Sequence, residues 1–142
     1  MAYSASADIQ KMLNATDLQA LTDDDLSGAI DADVVTRAIA DADEEIDLFL
    51  TKRYSLPLSS TPEIVRKLSV DIAVYNLYCR RGEAPQTWRD RYGRAKEILT
   101  DIRDGKLALD GFSEAATVTI SSTRDEDDKV FTDDNLDGFT DE

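Results

Sequence analysis

The chain is 142 residues long, the size of one ordinary domain, and 30 acidic against 16 basic residues leave it a formal charge of -14 with a pI near 4.3. Hydrophobic residues at 42% are enough for a core and too many for a wholly disordered chain. One cysteine, Cys79, and no histidine exclude an internal disulfide framework, Ser-His-Asp and Cys-His nucleophiles, and His-ligated zinc.

No run approaches the ~20 apolar residues that span a bilayer, so the sequence is not read as an integral membrane protein. The opening Met1-Ala2-Tyr3-Ser4-Ala5-Ser6 lacks the basic and apolar regions of a secretory signal. Charge is unevenly spread: residues 1–49 carry a net -10, residues 50–110 a net +4, and residues 111–142 a net -8. An asymmetry of this size bears on partners and association rather than on fold. It also argues against general DNA affinity, which needs a concentrated basic surface.

In chain order, Ser6 starts a short helical stretch with Asp8 in its first turn and Ile9, Met12 and Leu13 at helical spacing. Asn14-Ala15-Thr16-Asp17 is read as its end, with Leu18 and Leu21 adding apolar contacts. The acidic, Gly28-containing stretch 22–33 reads as a loop, and Asp33 as the N-cap of the next helix. Behind it Val35, Ala38, Ile39, Ala42, Ile46, Phe49 and Arg53 fall within about 120° on a helical wheel. This predicts a helix of about five turns ending near Tyr54, with Asp41, Glu44, Glu45 and Asp47 outside.

Residues 55–60 break the helix. Thr61 as N-cap, Pro62 at the first helical position and Glu63 in the first turn then start another. It runs to Arg80-Arg81, with Gly82 closing it and basic residues suiting its negative end. This helix has two apolar stripes, one of Ile64, Leu68, Ile72, Tyr75 and Cys79, the other of Val70, Val74 and Leu77. A helix apolar on two sides is either central in its own domain or shared with a neighbouring subunit. Asp71 beside the first stripe needs a partner if buried, and an arginine of the following helix is the obvious candidate.

Pro85 opens that following helix, Trp88, Tyr92, Ala95, Leu99 and Ile102 share one face, and Gly105 closes it. Arg89, Lys96 and Arg103, seven apart, flank the face. Beyond it Leu107 and Leu109 alternate with polar residues, Asp110-Gly111 signals a turn, and residues 116–121 with Val118 and Ile120 read as a strand. From 122 onward Asp, Glu, Thr and Gly dominate, the composition of a flexible tail. The expected fold is mainly α: a small bundle of about four helices over residues 1–105, then a short β element and an acidic extended arm over residues 106–142.

For chemistry, the sharpest local pattern is Asp23-Asp24-Asp25-Leu26-Ser27-Gly28-Ala29-Ile30-Asp31. Against a calcium loop it places Asp23, Asp25 and Ser27 at the first three ligand positions and Gly28 at the sharp turn, but Val34 stands where a bidentate glutamate belongs. An Asx-rich turn before a capped helix explains the same residues. Asp133-Asp134-Asn135-Leu136-Asp137-Gly138 repeats the first half of the pattern and the chain ends before a twelfth position. The carboxylates around Asp41 to Asp47 lie on an expected solvated face, and acids there lack what shifts a pKa into a catalytic range. Cys79 on an apolar stripe reads as a buried structural thiol. The Arg89, Lys96 and Arg103 row suits DNA phosphate or an acidic protein surface, and equally a solvated face paired with local acids.

The order of elements then resembles a known family. The acidic loop ending in Ile30-Asp31, Val34-Val35, Ala40-Asp41-Ala42-Asp43-Glu44-Glu45-Ile46-Asp47, Arg53-Tyr54-Ser55-Leu56-Pro57-Leu58, the run from Leu68-Ser69-Val70-Asp71 to Asn76-Leu77-Tyr78, Arg91-Tyr92 and Asp104-Gly105-Lys106-Leu107 together resemble the small head-tail connector (adaptor, or head-completion) proteins of Mu-like phages and prophages, over about residues 1–110. Ser55 stands where that pattern expects proline. The resemblance implies a structural virion protein with no catalytic residues and no cofactor. It implies a homo-oligomeric ring of about twelve copies below the portal protein, next to neck or tail-terminator proteins, with genomic DNA passing through without specific binding. Its place would be the head-tail neck of the virion, assembled in the cytoplasm of a bacterial host. On this reading the candidate partner-binding residues are Val70, Val74, Leu77, Arg89, Lys96, Arg103, Val118 and Ile120, and the arm is ordered by the portal or by a neighbouring subunit. The rival is a calcium-responsive acidic helical binding module using Asp23, Asp25 and Asp31.

Overall fold

Five helices are found in the computed structural model of the chain, which describes residues 2–112: α1 (Ser6–Met12), α2 (Ala15–Thr22), α3 (Ala32–Leu50), α4 (Glu63–Arg81) and α5 (Gln86–Asp104). The chain is mainly α, as expected. The strand expected at 116–121 and the acidic stretch beyond it lie outside the described residues.

The helix count rises through α2. Asn14 does not end a helix but begins one: its side chain accepts a hydrogen bond from the Asp17 backbone N–H at 2.8 Å, and Leu18 and Leu21 are buried beneath it. Asn and Asp at such positions serve as N-caps as readily as they serve in turns. The cap of α3 is also displaced. Asp31, not Asp33, accepts from the backbone N–H groups of Asp33 (3.0 Å) and Val34 (3.3 Å), and Asp33 lies in the first turn. The start of α4 moves by one residue, with Pro62 at the N-cap and Glu63 first in the helix.

All four other helices touch α4, and α3 and α5 also touch each other. Its whole middle is buried: Leu68, Ser69, Val70, Asp71, Ile72, Ala73 and Val74 run consecutively, followed by Leu77. The two apolar stripes therefore mark a helix central in its own domain. Val70, Val74 and Leu77, expected to meet a partner, are covered by the chain's own helices, with Val74 and Leu77 fully enclosed. Burying each such side chain contributes about 1.5–3 kcal/mol. The other stripe runs out to the surface at both ends, where Ile64 and Cys79 are exposed. The expectation of a buried thiol fails: Cys79 lies in the last turn of α4, on a side that the other helices do not cover.

The stripes of α3 and α5 face the core over most of their length, but α3 ends at Leu50 and not near Tyr54, so Arg53 falls outside the helix and Phe49 is half-buried. Val35, Ala38, Ile39, Ala42, Ile46 and Leu50 are buried on α3, and Trp88, Ala95, Leu99 and Ile102 on α5. Arg53, just past α3, closes the far end of α5: its Nη1 donates to the carbonyl oxygens of Ile102 (2.6 Å) and Leu107 (2.9 Å). A cation suits the negative helix end, and Gly105 turns the chain there at φ 88°. Packing continues past residue 105. Leu109 is buried and its N–H donates to the hydroxyl of the enclosed Tyr54 at 2.9 Å, while Phe112 packs on the core.

The capping geometry makes a prediction. Asp31→Ala removes the acceptor for two orphan N–H groups and should lower stability by about 1 kcal/mol, whereas Asp33→Ala should cost only a few tenths. Urea denaturation followed by circular dichroism checks the order; a larger loss for Asp33→Ala would contradict the assignment.

Candidate functional site

Charged and polar side chains among the described residues include a buried set that ties helices together and exposed sets along α5 and at the end of α4. The first buried group is Asp43. Its carboxylate accepts from the backbone N–H of Tyr3 at 3.0 Å and from the Ser69 hydroxyl at 2.6 Å. With its proton so used, Ser69 accepts from Ser4, 2.7 Å away. The Tyr3 hydroxyl donates to Asp47. The N-terminal segment is thus pinned across α3 and α4, and Tyr3 and Ser4 are buried with it. Burial pushes the Asp43 carboxyl above its usual range, against the two hydrogen bonds that favour its charged form. Burial also raises the Tyr3 hydroxyl, helped by its bond to Asp47.

Asp71 is the second. Buried on α4, it lies 3.3 Å from Nη1 of Arg91 on α5, the helix expected to supply its partner. Burial again raises the carboxyl despite the guanidinium. Arg91 also lies 4.9 Å over the Trp88 ring. Between α3, α4 and α5, Tyr75 and Tyr92 stack with ring centroids 4.0 Å apart, and the Tyr92 hydroxyl donates to Glu45 at 2.8 Å. Burial is the first cause of the raised Tyr92 hydroxyl, and that bond the second. The aromatics are cross-helix packing, as their spacing suggests.

The row Arg89, Lys96 and Arg103 is on one edge of α5, and each member has an acid at hand. Arg89 lies 3.4 Å from Glu83, Lys96 lies 3.8 Å from Glu45, and Arg103 donates to Asp104 at 3.0 Å. Lys96 also covers Tyr92 and Arg103 covers Phe49. All three remain close to half exposed, so the row is a paired face open to solvent. Val118 and Ile120 lie outside the described residues.

In the 23–31 loop, Asp23 takes the role of an Asx turn: Oδ1 accepts from the N–H and hydroxyl of Ser27 (2.8 and 3.0 Å), and Oδ2 from the N–H of Gly28 (2.8 Å). The bond from the Ser27 N–H is the first cause that holds the Asp23 carboxyl below its usual range. Asp24 pairs with Arg80 and with Arg81, the latter at 2.8 Å, and the bond from Arg80 lowers its pKa. Arg80 also donates to the carbonyl oxygen of Leu21 at 3.0 Å, so the end of α4 clamps the loop to the end of α2. Among the described residues no group of three or more His, Cys, Asp or Glu is placed to hold a metal ion. The calcium pattern uses its first carboxylate, Asp23, to fold its own turn, and Asp24, a spacer in that pattern, meets α4.

Sequence reading missed what this loop presents. Leu26 projects 90% exposed at φ 56°, a left-handed conformation costing about 1–2 kcal/mol in residues with a Cβ. Its only sequence signal was an apolar residue inside an acidic turn, which a calcium pattern absorbs as a spacer. Also missed was the apolar floor of Met12 and Val70 in a notch between α1 and α4. It requires the two helices to be placed side by side.

These features describe a helical protein that uses buried charges to brace its helices. A family model described as Bacteriophage Mu, Gp36 matches residues 3–125. The chain therefore belongs to the bacteriophage Mu Gp36 family, a family of phage structural proteins. The match takes in all five helices and runs beyond the residue 110 at which the resemblance in sequence ended, so the stretch with Val118 and Ile120 is part of it. Comparison with curated proteins finds no match. No helix among the described residues is long and apolar enough to cross a membrane.

The buried carboxylates set a pH dependence. A carboxyl raised in the folded state contributes stability that is full below its unfolded pKa and lost as pH rises through its folded value. Asp43 and Asp71 are both of this kind, and the repulsion of a -14 chain acts in the same direction. Resistance to urea should rise as pH is lowered from neutral toward the ordinary carboxylate range, and the combined Asp43→Asn and Asp71→Asn variant should flatten that slope. An unchanged slope would show that these two groups do not titrate in the window.

Proposed function

We propose that this chain is a head-tail connector, or adaptor, of the virion neck. About twelve copies form a ring below the portal protein, and cyclic closure requires one patch of each subunit to meet a different patch of the next. The ring joins the DNA-filled head to the neck or tail-terminator proteins and lets the genome pass. It is assembled in the cytoplasm of the bacterial host. The family match over residues 3–125 carries this reading.

The physical character of the chain supports it. A net charge of -14 repels phosphate, so DNA slides past such a surface rather than being gripped. A single buried core around α4, braced by Asp43 and Asp71, gives a rigid subunit suited to a load-bearing joint. Nothing in the role calls for catalysis, a metal or a cofactor.

Phage lacking this protein should accumulate DNA-filled heads and free tails that do not join, and adding the purified chain to such an extract should restore infectious particles. In parallel, light scattering of the 15.7 kDa chain mixed with purified portal should show a ring-sized increment in mass. A chain indifferent to the portal, or normal joining without it, would overturn the reading.

A further inference from the structure

Helices α3 and α5 finish at the same end of the bundle, where Arg53 donates to the carbonyl oxygens of Ile102 and Leu107. Two large apolar side chains are left open to solvent there. Leu48, in the last turn of α3, is 74% exposed, and Leu107, just past α5, is 45% exposed. Phe49 and Phe112 pack on the core at this end and are only half-buried. A single exposed leucine needs no explanation, but several apolar groups at one end of a small core leave that end short of cover.

The same end is mildly basic. The hydrogen bond from Arg103 is the first cause that holds the Asp104 carboxyl below its usual range, and Lys52 and Lys106 act in the same direction. With Arg53, these four bases face Asp101, Asp104 and Asp110.

This is also the end from which the chain continues. Leu109 is buried and bonded to Tyr54, Phe112 packs on the core, and Val118 and Ile120 follow. At full extension they reach at most about 20 Å and about 27 Å from Phe112. Being two residues apart, they fall on one side of an extended segment. Acids flank them, Glu114 before and Asp125-Glu126-Asp127-Asp128 after. An independent sign ties this stretch to the helices: the family match continues past Phe112 to residue 125. A connection this short gives its ends an effective concentration in the millimolar range, so the chain's own core is favoured over a second copy.

We infer that residues 116–121 cover this end of their own bundle, with Val118 and Ile120 packed on Leu107 and the last turn of α3, and the flanking acids toward Lys52 and Lys106. The folded unit then extends through residue 121 instead of closing at Gly105. Val118 and Ile120 serve the subunit's own core and not a partner. The contact lies within one chain and does not depend on the connector reading.

The test is urea unfolding of the full-length chain followed by the fluorescence of Trp88, its one tryptophan and a buried reporter in α5. The combined Val118→Asp and Ile120→Asp variant should lower the folded-to-unfolded ratio by about tenfold or more. Phe131→Asp with Phe139→Asp, beyond the family match, should leave it unchanged. In a cycle of milder changes, Leu107→Ala should be non-additive with the pair Val118→Ala and Ile120→Ala, as contacting residues are. The unfolding midpoint should be the same at low and high protein concentration. Unchanged stability of the aspartate variant, or additivity in the cycle, would overturn the inference. A midpoint that rises with concentration would assign the cover to a second copy and overturn it as well. Loss of binding to purified portal at unchanged stability would give the segment to the portal, refuting the contact and leaving the connector reading standing. Loss of stability in a chain whose native form ignores the portal does the reverse.

Discussion

The enclosure of α4 is the constraint on which the rest of the structure depends. A helix whose middle is buried on every side cannot sit on a surface, so the chain has to wrap it. It does so with α3 and α5 along its length and α1 and α2 against its flanks. The short N-terminal helices would be marginal alone; their stability comes from what they cover. The same enclosure explains why Val70, Val74 and Leu77 serve the subunit's own core and are not available to a neighbour.

Two buried acids define how the wrapping is keyed. Asp43 and Asp71 cost free energy in an apolar interior, and the cost is offset only where each finds its partners. Asp43 finds them in Ser69 and the backbone of Tyr3, Asp71 in Arg91. A slip of α3 along α4 would break the first set and a slip of α5 the second, so the acids act against misregister of each outer helix. The consequence is a rigid unit whose ends hold fixed positions relative to each other.

That rigidity gives the surface its meaning. The acidic loop is tied to the end of α4, and the notch beside α1 lies along its first half. The basic row of α5 is occupied with local acids. The mildly basic middle of the chain is thereby met in part by acids that lie close to it in the fold.

By itself the sequence determined the mainly α class, the extents of α4 and α5, the existence of α3 though not its end, the central position of α4 as one of two options, the Asp71–arginine pairing and the family. These follow from periodicity, caps and the cost of a buried charge, all of which are local or need only one neighbour. Tertiary structure decided between the two readings of α4, turned Asn14 from a stop into a start, and left Cys79 exposed in the last turn of α4. It alone joined Tyr3 to Asp43 across forty residues and set Met12 beside Val70 as the floor of a notch. Burial and shape at such places depend on which distant segments arrive there, and a pattern read along one chain carries no distance between its parts.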